Sequence, residues 1–89
     1  MKLDFTLIAE GLPGAEGPVF DLKGRFFMVV PDRGLVVRVT EEGQVTTWAD
    51  TGGIPAGLQC DRENNLWLAD MKLGILRLSA KGEISPVVT

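Results

Sequence analysis

The chain has no histidine, no tyrosine and a single cysteine, Cys60. Without histidine, a His-ligated zinc site, a Ser-His-Asp triad and a Cys-His pair are all excluded within these residues. One cysteine cannot build a disulfide framework, and Cys60 sits among apolar neighbours that read as a buried, inert thiol rather than a nucleophile. Positive charge is scarce: nine Lys and Arg stand against twelve Asp and Glu, for a net charge of −3. With no basic cluster, a nucleic-acid footprint is not expected. Long apolar runs are missing too, and none approaches the ~20 residues of a membrane helix. Asp4 and Glu10 interrupt the opening MKLDFTLIAEGLPG where a signal-peptide core would lie. These absences lead to the expectation of a cytoplasmic protein that binds neither membrane nor nucleic acid.

What is present is a repeat. Residues 17–45 read GPVFDLKGRFFMVVPDRGLVVRVTEEGQV, and residues 57–84 read GLQCDRENNLWLADMKLGILRLSAKGEI. At an offset of 40, Gly17 aligns with Gly57, Asp21 with Asp61, Phe27 with Trp67 and Gly34 with Gly74. After one deletion the offset is 39, pairing Arg38 with Arg77 and Gly43 with Gly82. A period near forty holding several short apolar runs is the pattern of a propeller blade.

No apolar period of helical spacing persists for ten residues, so no helix is expected. The runs instead predict strands over Phe5–Ala9, Pro18–Asp21, Arg25–Val30, Leu35–Thr40, Gln44–Ala49, Leu58–Asp61, Leu66–Ala69, Ile75–Ser79 and Glu83–Val88. Gly24, Asn64, Gly43 and Gly82 fall in the turns between them, where positive φ is cheap. Asp21 and Asp61 precede equivalent turns and are expected to accept turn amides. Phe27 and Trp67 are expected to fill the space between stacked blades, and Arg38 and Arg77 to be solvated or to form blade-bridging ion pairs. The fold class is therefore all-β: two four-stranded antiparallel blades, residues 16–50 and 51–89, preceded by a strand and loop over residues 1–15. Two blades cannot close a ring. The chain is part of a longer protein, an engineered repeat unit, or one subunit of a homotrimer that completes six blades.

In a propeller, the loops leading into the innermost strands and those joining the second and third strands meet at one mouth of the channel. Here those loops hold Glu10, Glu16, Asp32, Arg33, Asp50, Asp70, Met71 and Lys72. Glu16 stands out, because Ala15-Glu16-Gly17-Pro18 aims a carboxylate toward the channel axis. Such a group suits a hard cation, Ca²⁺ or Mg²⁺, or Zn²⁺ with oxygen donors; a solvated turn glutamate is the alternative. Asp32, Arg33, Asp70 and Met71 are candidates for substrate contact, with capping roles as the alternative for the two aspartates.

The segment Glu16-Gly17-Pro18-Val19, the run Gly24-Arg25-Phe26-Phe27-Met28-Val29-Val30, and the later Ala56-Gly57-Leu58 and Asn65-Leu66-Trp67-Leu68-Ala69-Asp70 resemble the SMP-30/gluconolactonase/LRE-like family. The resemblance spans about residues 8–88 and covers two blades of a six-bladed propeller. It implies a lactone hydrolase with a divalent metal that polarises the lactone carbonyl and activates water. It also implies that Glu16 is one metal ligand, with an Asn and an Asp supplied by blades outside this sequence. Family members often place Asn where this chain has Ala56, which cannot hydrogen-bond through its side chain. A non-catalytic propeller fragment or binding module is the competing reading.

Overall fold

The computed structural model describes residues 14–88. It contains eight strands: β1 (Glu16–Phe20), β2 (Phe26–Val30), β3 (Leu35–Val39), β4 (Val45–Asp50), β5 (Pro55–Cys60), β6 (Leu66–Asp70), β7 (Gly74–Leu78) and β8 (Ile84–Val88). They form two four-stranded sheets in simple meander order, β1-β2-β3-β4 and β5-β6-β7-β8, with every pairing antiparallel. The expected all-β, two-blade architecture is what the chain adopts. The expected strand over Phe5–Ala9, and Glu10, lie outside the described residues.

Two boundaries differ from expectation for one reason. β1 begins at Glu16 and β5 at Pro55, each earlier than the apolar runs suggested. Both strands change register around a glycine, between Glu16 and Val19 and between Pro55 and Gly57. A β-bulge lets pairing continue across residues that break simple alternation. The only helical turn among the described residues is a single 3₁₀ turn, Pro31–Arg33, closed by Gly34 at φ 68°. Its proline fixes the first φ, and glycine takes the left-handed position at no steric cost.

Side chains alternate across each strand, so each blade has two faces. Phe27, Val29, Val36 and Ala49 of blade one pack in one cluster with Leu58, Leu66, Leu68, Leu76 and Leu78 of blade two. The opposite face of blade one holds Phe26, Met28, Val30, Val37 and Val39 in a second buried cluster. The innermost strands meet at Gly17, where a Cβ would stand 3.2 Å from Val29 Cγ2 and 3.4 Å from the Gly57 Cα. At φ 63° that position is already unsuited to a side chain.

The turns repeat as the aligned aspartates implied. Asp21 Oδ1 accepts from the amides of Lys23 and Arg25, and Asp61 Oδ1 from those of Glu63 and Asn65. The blade-bridging cation, however, is Arg25 rather than Arg38. Arg25 pairs with Asp21 at 2.6 Å, lies 4.9 Å over the Trp48 ring and 5.6 Å over Phe27, and reaches the Ala80 carbonyl of blade two at 3.4 Å. Arg38 Nε is buried and unpartnered. A second crosslink joins the same ends of the blades, the Leu22 amide donating to Asn64 Oδ1 at 2.7 Å.

Trp67 also departs from expectation. Phe27 is fully buried between the blades, but Trp67 is half-buried on the face of blade two turned away from blade one. Its indole N–H donates to Asp61 Oδ2 at 2.7 Å. The repeat position is the same; the neighbour is not. Phe27→Ala is therefore expected to cost about 4 kcal/mol, and Trp67→Ala less than about 2 kcal/mol. Denaturant melts of the two variants check this, and equal losses would overturn the assignment of faces.

Candidate functional site

Antiparallel connectivity places the start of β1, the β2–β3 loop, the β4–β5 loop and the β6–β7 loop at one end of both blades. Every candidate site residue within the described range stands at that end. Glu16 opens β1, opposite Val29 of β2, and is exposed. Asp32 and Arg33 lie exposed in the 3₁₀ turn. The Asp32 carboxylate reaches back toward the chain before Glu16, since a Cβ on Gly14 would stand 3.7 Å from Oδ2. Met71 is 79% exposed, Lys72 is exposed, and Asp50 caps the Gly52 amide at 3.0 Å.

Asp70 is placed differently from the others. It is only 5% exposed, and its oxygens are committed to the loops around it. Oδ1 accepts from the amides of Ile54 at 3.0 Å, Lys72 at 2.9 Å and Leu73 at 2.9 Å, while the Thr51 hydroxyl lies 3.0 Å from Oδ2. The Thr51 amide in turn donates to Gly34 O at 2.8 Å. One carboxylate thus ties the β6–β7 loop to the β4–β5 loop, and through Thr51 to the β2–β3 loop. Gly53 makes room for it, because a Cβ there would collide with the carboxylate. Of the two roles expected for Asp70, substrate contact or capping, its hydrogen bonds to loop amides are those of a cap, a clamp beneath the mouth. The alternation of β6 turns it to the leucine side of the sheet, away from solvent.

The clamp presents apolar residues that the sequence pattern did not single out. The Met71 amide bonds the Ile54 carbonyl at 2.8 Å, and Ile54 and Leu73 are 44% and 37% exposed. With Met71 they are exposed apolar residues at the same end of the sheets as Asp32 and Arg33. The signal of Ile54 and Leu73 in sequence was their place in loops among glycines and charged residues, the place that had already marked Met71.

Among the described residues, no three His, Cys, Asp or Glu side chains come together as a metal-holding group. Glu16, the expected metal ligand, has no two such side chains gathered with it, so the described residues do not fit a divalent metal by themselves. No described helix is long and apolar enough to cross a membrane.

Sequence comparison gives a relative 40% identical over 97 residues, the diisopropyl-fluorophosphatase of Loligo vulgaris. The match covers 93% of this chain and 31% of that protein. The match supports kinship of these two blades with SMP-30/lactonase-like propellers. No family model matches it. In fold, it is similar to virginiamycin B lyase from Staphylococcus aureus, with a TM-score of 0.71, 19% identity, and coverage of 80% of this chain and 25% of that one. It is also similar to a streptogramin B lyase, with a TM-score of 0.67, 16% identity, and coverage of 85% and 27%. The chain spans about a third of the length of the curated relative it matches.

The clamp makes the stability of this chain sensitive to acid. Burial pushes the Asp70 carboxyl up, but the amides of Ile54, Leu73 and Lys72 and the Thr51 hydroxyl outweigh it and hold the pKa below its ordinary 3.8. Asp21 is held low in the same sense: burial raises it, and the backbone amide and side chain of Arg25 outweigh that effect. A depressed folded pKa gives stability that is full above the unfolded value and lost as pH falls through the folded one. Asp70→Ala should therefore lose about 3 kcal/mol at neutral pH, with the gap to the parent narrowing below about pH 4. Thermal melts from pH 7 to pH 2 read this difference, and a gap that stays constant would refute the clamp.

Proposed function

We propose that this chain contributes two blades to a metal-assisted hydrolase acting on a lactone, with Glu16 as the one metal donor these blades provide. The observation that carries the reading is the position of Glu16: an exposed carboxylate at the head of the innermost strand, at the end where the candidate loops gather. The relative's identity as a hydrolase supports the same class of reaction. Asp32 and Arg33 would offer a carboxylate and a guanidinium to the polar part of a substrate. Arg33 suits a carbonyl or phosphoryl oxygen, which a fixed fork of N–H donors recognises. Met71, with Ile54 and Leu73, would take its apolar part.

A second reading has a specific observation behind it. The 40% identical relative is named for diisopropyl fluorophosphate, a phosphorus compound with two branched alkyl groups. The exposed Ile54, Met71 and Leu73, and Ala56 where the family's sugar-lactone members have Asn, offer apolar contact rather than hydroxyl recognition. On that reading the substrate is an apolar phosphorus ester or apolar lactone. In either case the ring is completed by further blades, from a longer chain or from two more copies in a homotrimer.

Since two blades hold one donor, the 89-residue chain alone should hydrolyse neither a δ-lactone nor diisopropyl fluorophosphate above the buffer rate, with or without Ca²⁺. In a complete propeller containing these blades, Glu16→Gln should lower kcat/KM at least about 100-fold, as loss of a charge-stabilising group does. It should also weaken Ca²⁺ binding measured by calorimetry. Activity within about threefold of the parent would remove Glu16 from the site.

A further inference from the structure

Thr51 stands where loops of the mouth meet, and its single hydroxyl proton has a choice of acceptors. Thr51 Oγ1 lies 3.0 Å from Asp70 Oδ2 and 3.2 Å from Gly34 O. It also accepts from the Gly53 amide at 3.0 Å. A hydroxyl donates once, so only one of the two oxygens receives the proton. An ionised carboxylate is the stronger acceptor, and Gly34 O already receives the Thr51 amide at 2.8 Å. The proton therefore goes to Asp70. The side chain then joins the β6–β7 loop, while the amide of the same residue joins the β2–β3 loop.

A blade does not need this junction in order to form. The aspartate turns recur in both copies, at Asp21 and Asp61, because each blade needs its turn. The repeat mate of Asp70 is Val30, which is 4% exposed and has no carboxylate to offer. Blade one thus builds the same strand without a clamp. What the junction adds is spacing. Gly34 closes the turn that carries Asp32 and Arg33, and a Cβ on it would stand 3.1 Å from Gly53 O. On the other side, the Met71 amide donates to the Ile54 carbonyl at 2.8 Å, and the Ile54 amide donates to Asp70. Thr51 is bonded toward both sides, the polar turn and the apolar pair.

We propose that Thr51 is a positioning residue of the mouth. Its hydroxyl fixes the distance from the Asp32–Arg33 turn to Ile54 and Met71, and with it the length of substrate accepted. The consequence for substrate rests on the hydrolase reading above. A substrate with a polar head and an apolar arm spans the two sides, so their separation selects the arm. Thr51 acts only through the loops it joins, its hydroxyl being committed to Asp70 and Gly53.

Two variants separate the hydroxyl from the shape. Thr51→Val keeps the branched outline and removes the donor, while Thr51→Ser keeps the donor. In the 89-residue chain, Thr51→Val should speed hydrogen exchange of the Gly53, Ile54 and Met71 amides about tenfold by local opening. The Arg25 and Asn65 amides, held at the other end by Asp21 and Asp61, should keep the parent's rates. Thr51→Ser should restore the parent's pattern. In a complete propeller containing these blades, Thr51→Val should raise KM for δ-decalactone about tenfold, with kcat held within about threefold. The KM for δ-valerolactone, which lacks the alkyl arm, should move less than about threefold. Exchange that is unchanged, or that rises evenly at both ends of the blades, would overturn the proposal. So would an active propeller in which valine, serine and threonine give equal kinetics on both lactones. A parent propeller that hydrolyses neither lactone would instead remove the lactonase reading, and the exchange pattern would then decide the role of Thr51.

Discussion

The packing of Phe27, Val29 and Val36 against the leucines of β5, β6 and β7 is the constraint on which the other features of this chain rest. Neither blade could bury its apolar faces alone, because a four-stranded sheet with two apolar sides needs a neighbour on each. Sheet-on-sheet burial here replaces the core that a chain this short otherwise lacks. The glycine bulge at the start of β1 follows from it. For the sheets to pack, the innermost strands must approach so closely that Gly17 lies against the Gly57 Cα. The crosslinks from Arg25 and Asn64 then tie one end of the seam, and Asp70 with Thr51 ties the other.

The two ends of the seam do different things with similar chemistry. At the turn end, Asp21 and Asp61 each hold a tight turn through backbone amides, and the aromatic and cationic groups around Asp21 fill the gap between blades. At the mouth, Asp70 gathers three loops from beneath and leaves their outer surfaces to Asp32, Arg33, Ile54, Met71 and Leu73. A buried carboxylate with four donors is rigid, because releasing any one of them leaves a desolvated polar group behind. That rigidity sets the shape of the mouth, and it lets exposed side chains vary without loss of the fold. Glu16 belongs to the mouth but not to the clamp, and its first strand carries it there.

Much of this was legible in the sequence. A period near forty, turn residues at equal places and short apolar runs are local signals, and they gave the strands and the meander order. The aspartate turns were legible too, since an Asp two and four residues before its amide partners needs no distant group to act. The strand starts at Glu16 and Pro55 were not, because a bulge is fixed by the partner strand and not by the residues that form it. The roles of Arg25 and Asp70 were hidden for a related reason. Arg25 acts on Trp48 and Ala80, and Asp70 acts on Thr51 and Ile54, contacts that exist only once the sheets and loops meet.

The sequence by itself determined that this chain makes two equivalent antiparallel blades, that these residues cannot run histidine chemistry, and that Glu16 is the candidate metal ligand. Only the tertiary structure decided that equivalent residues have unequal fates. Phe27 and Trp67 share a repeat position, yet one is sealed in the seam and the other lies on an open face. Asp32 and Asp70 were alike as loop-side carboxylates, yet one faces solvent and the other is spent on amides. Periodicity specifies which way a side chain points from its own sheet. What it meets there depends on the neighbouring sheet, and burial, charge and hydrogen bonding are properties of that meeting.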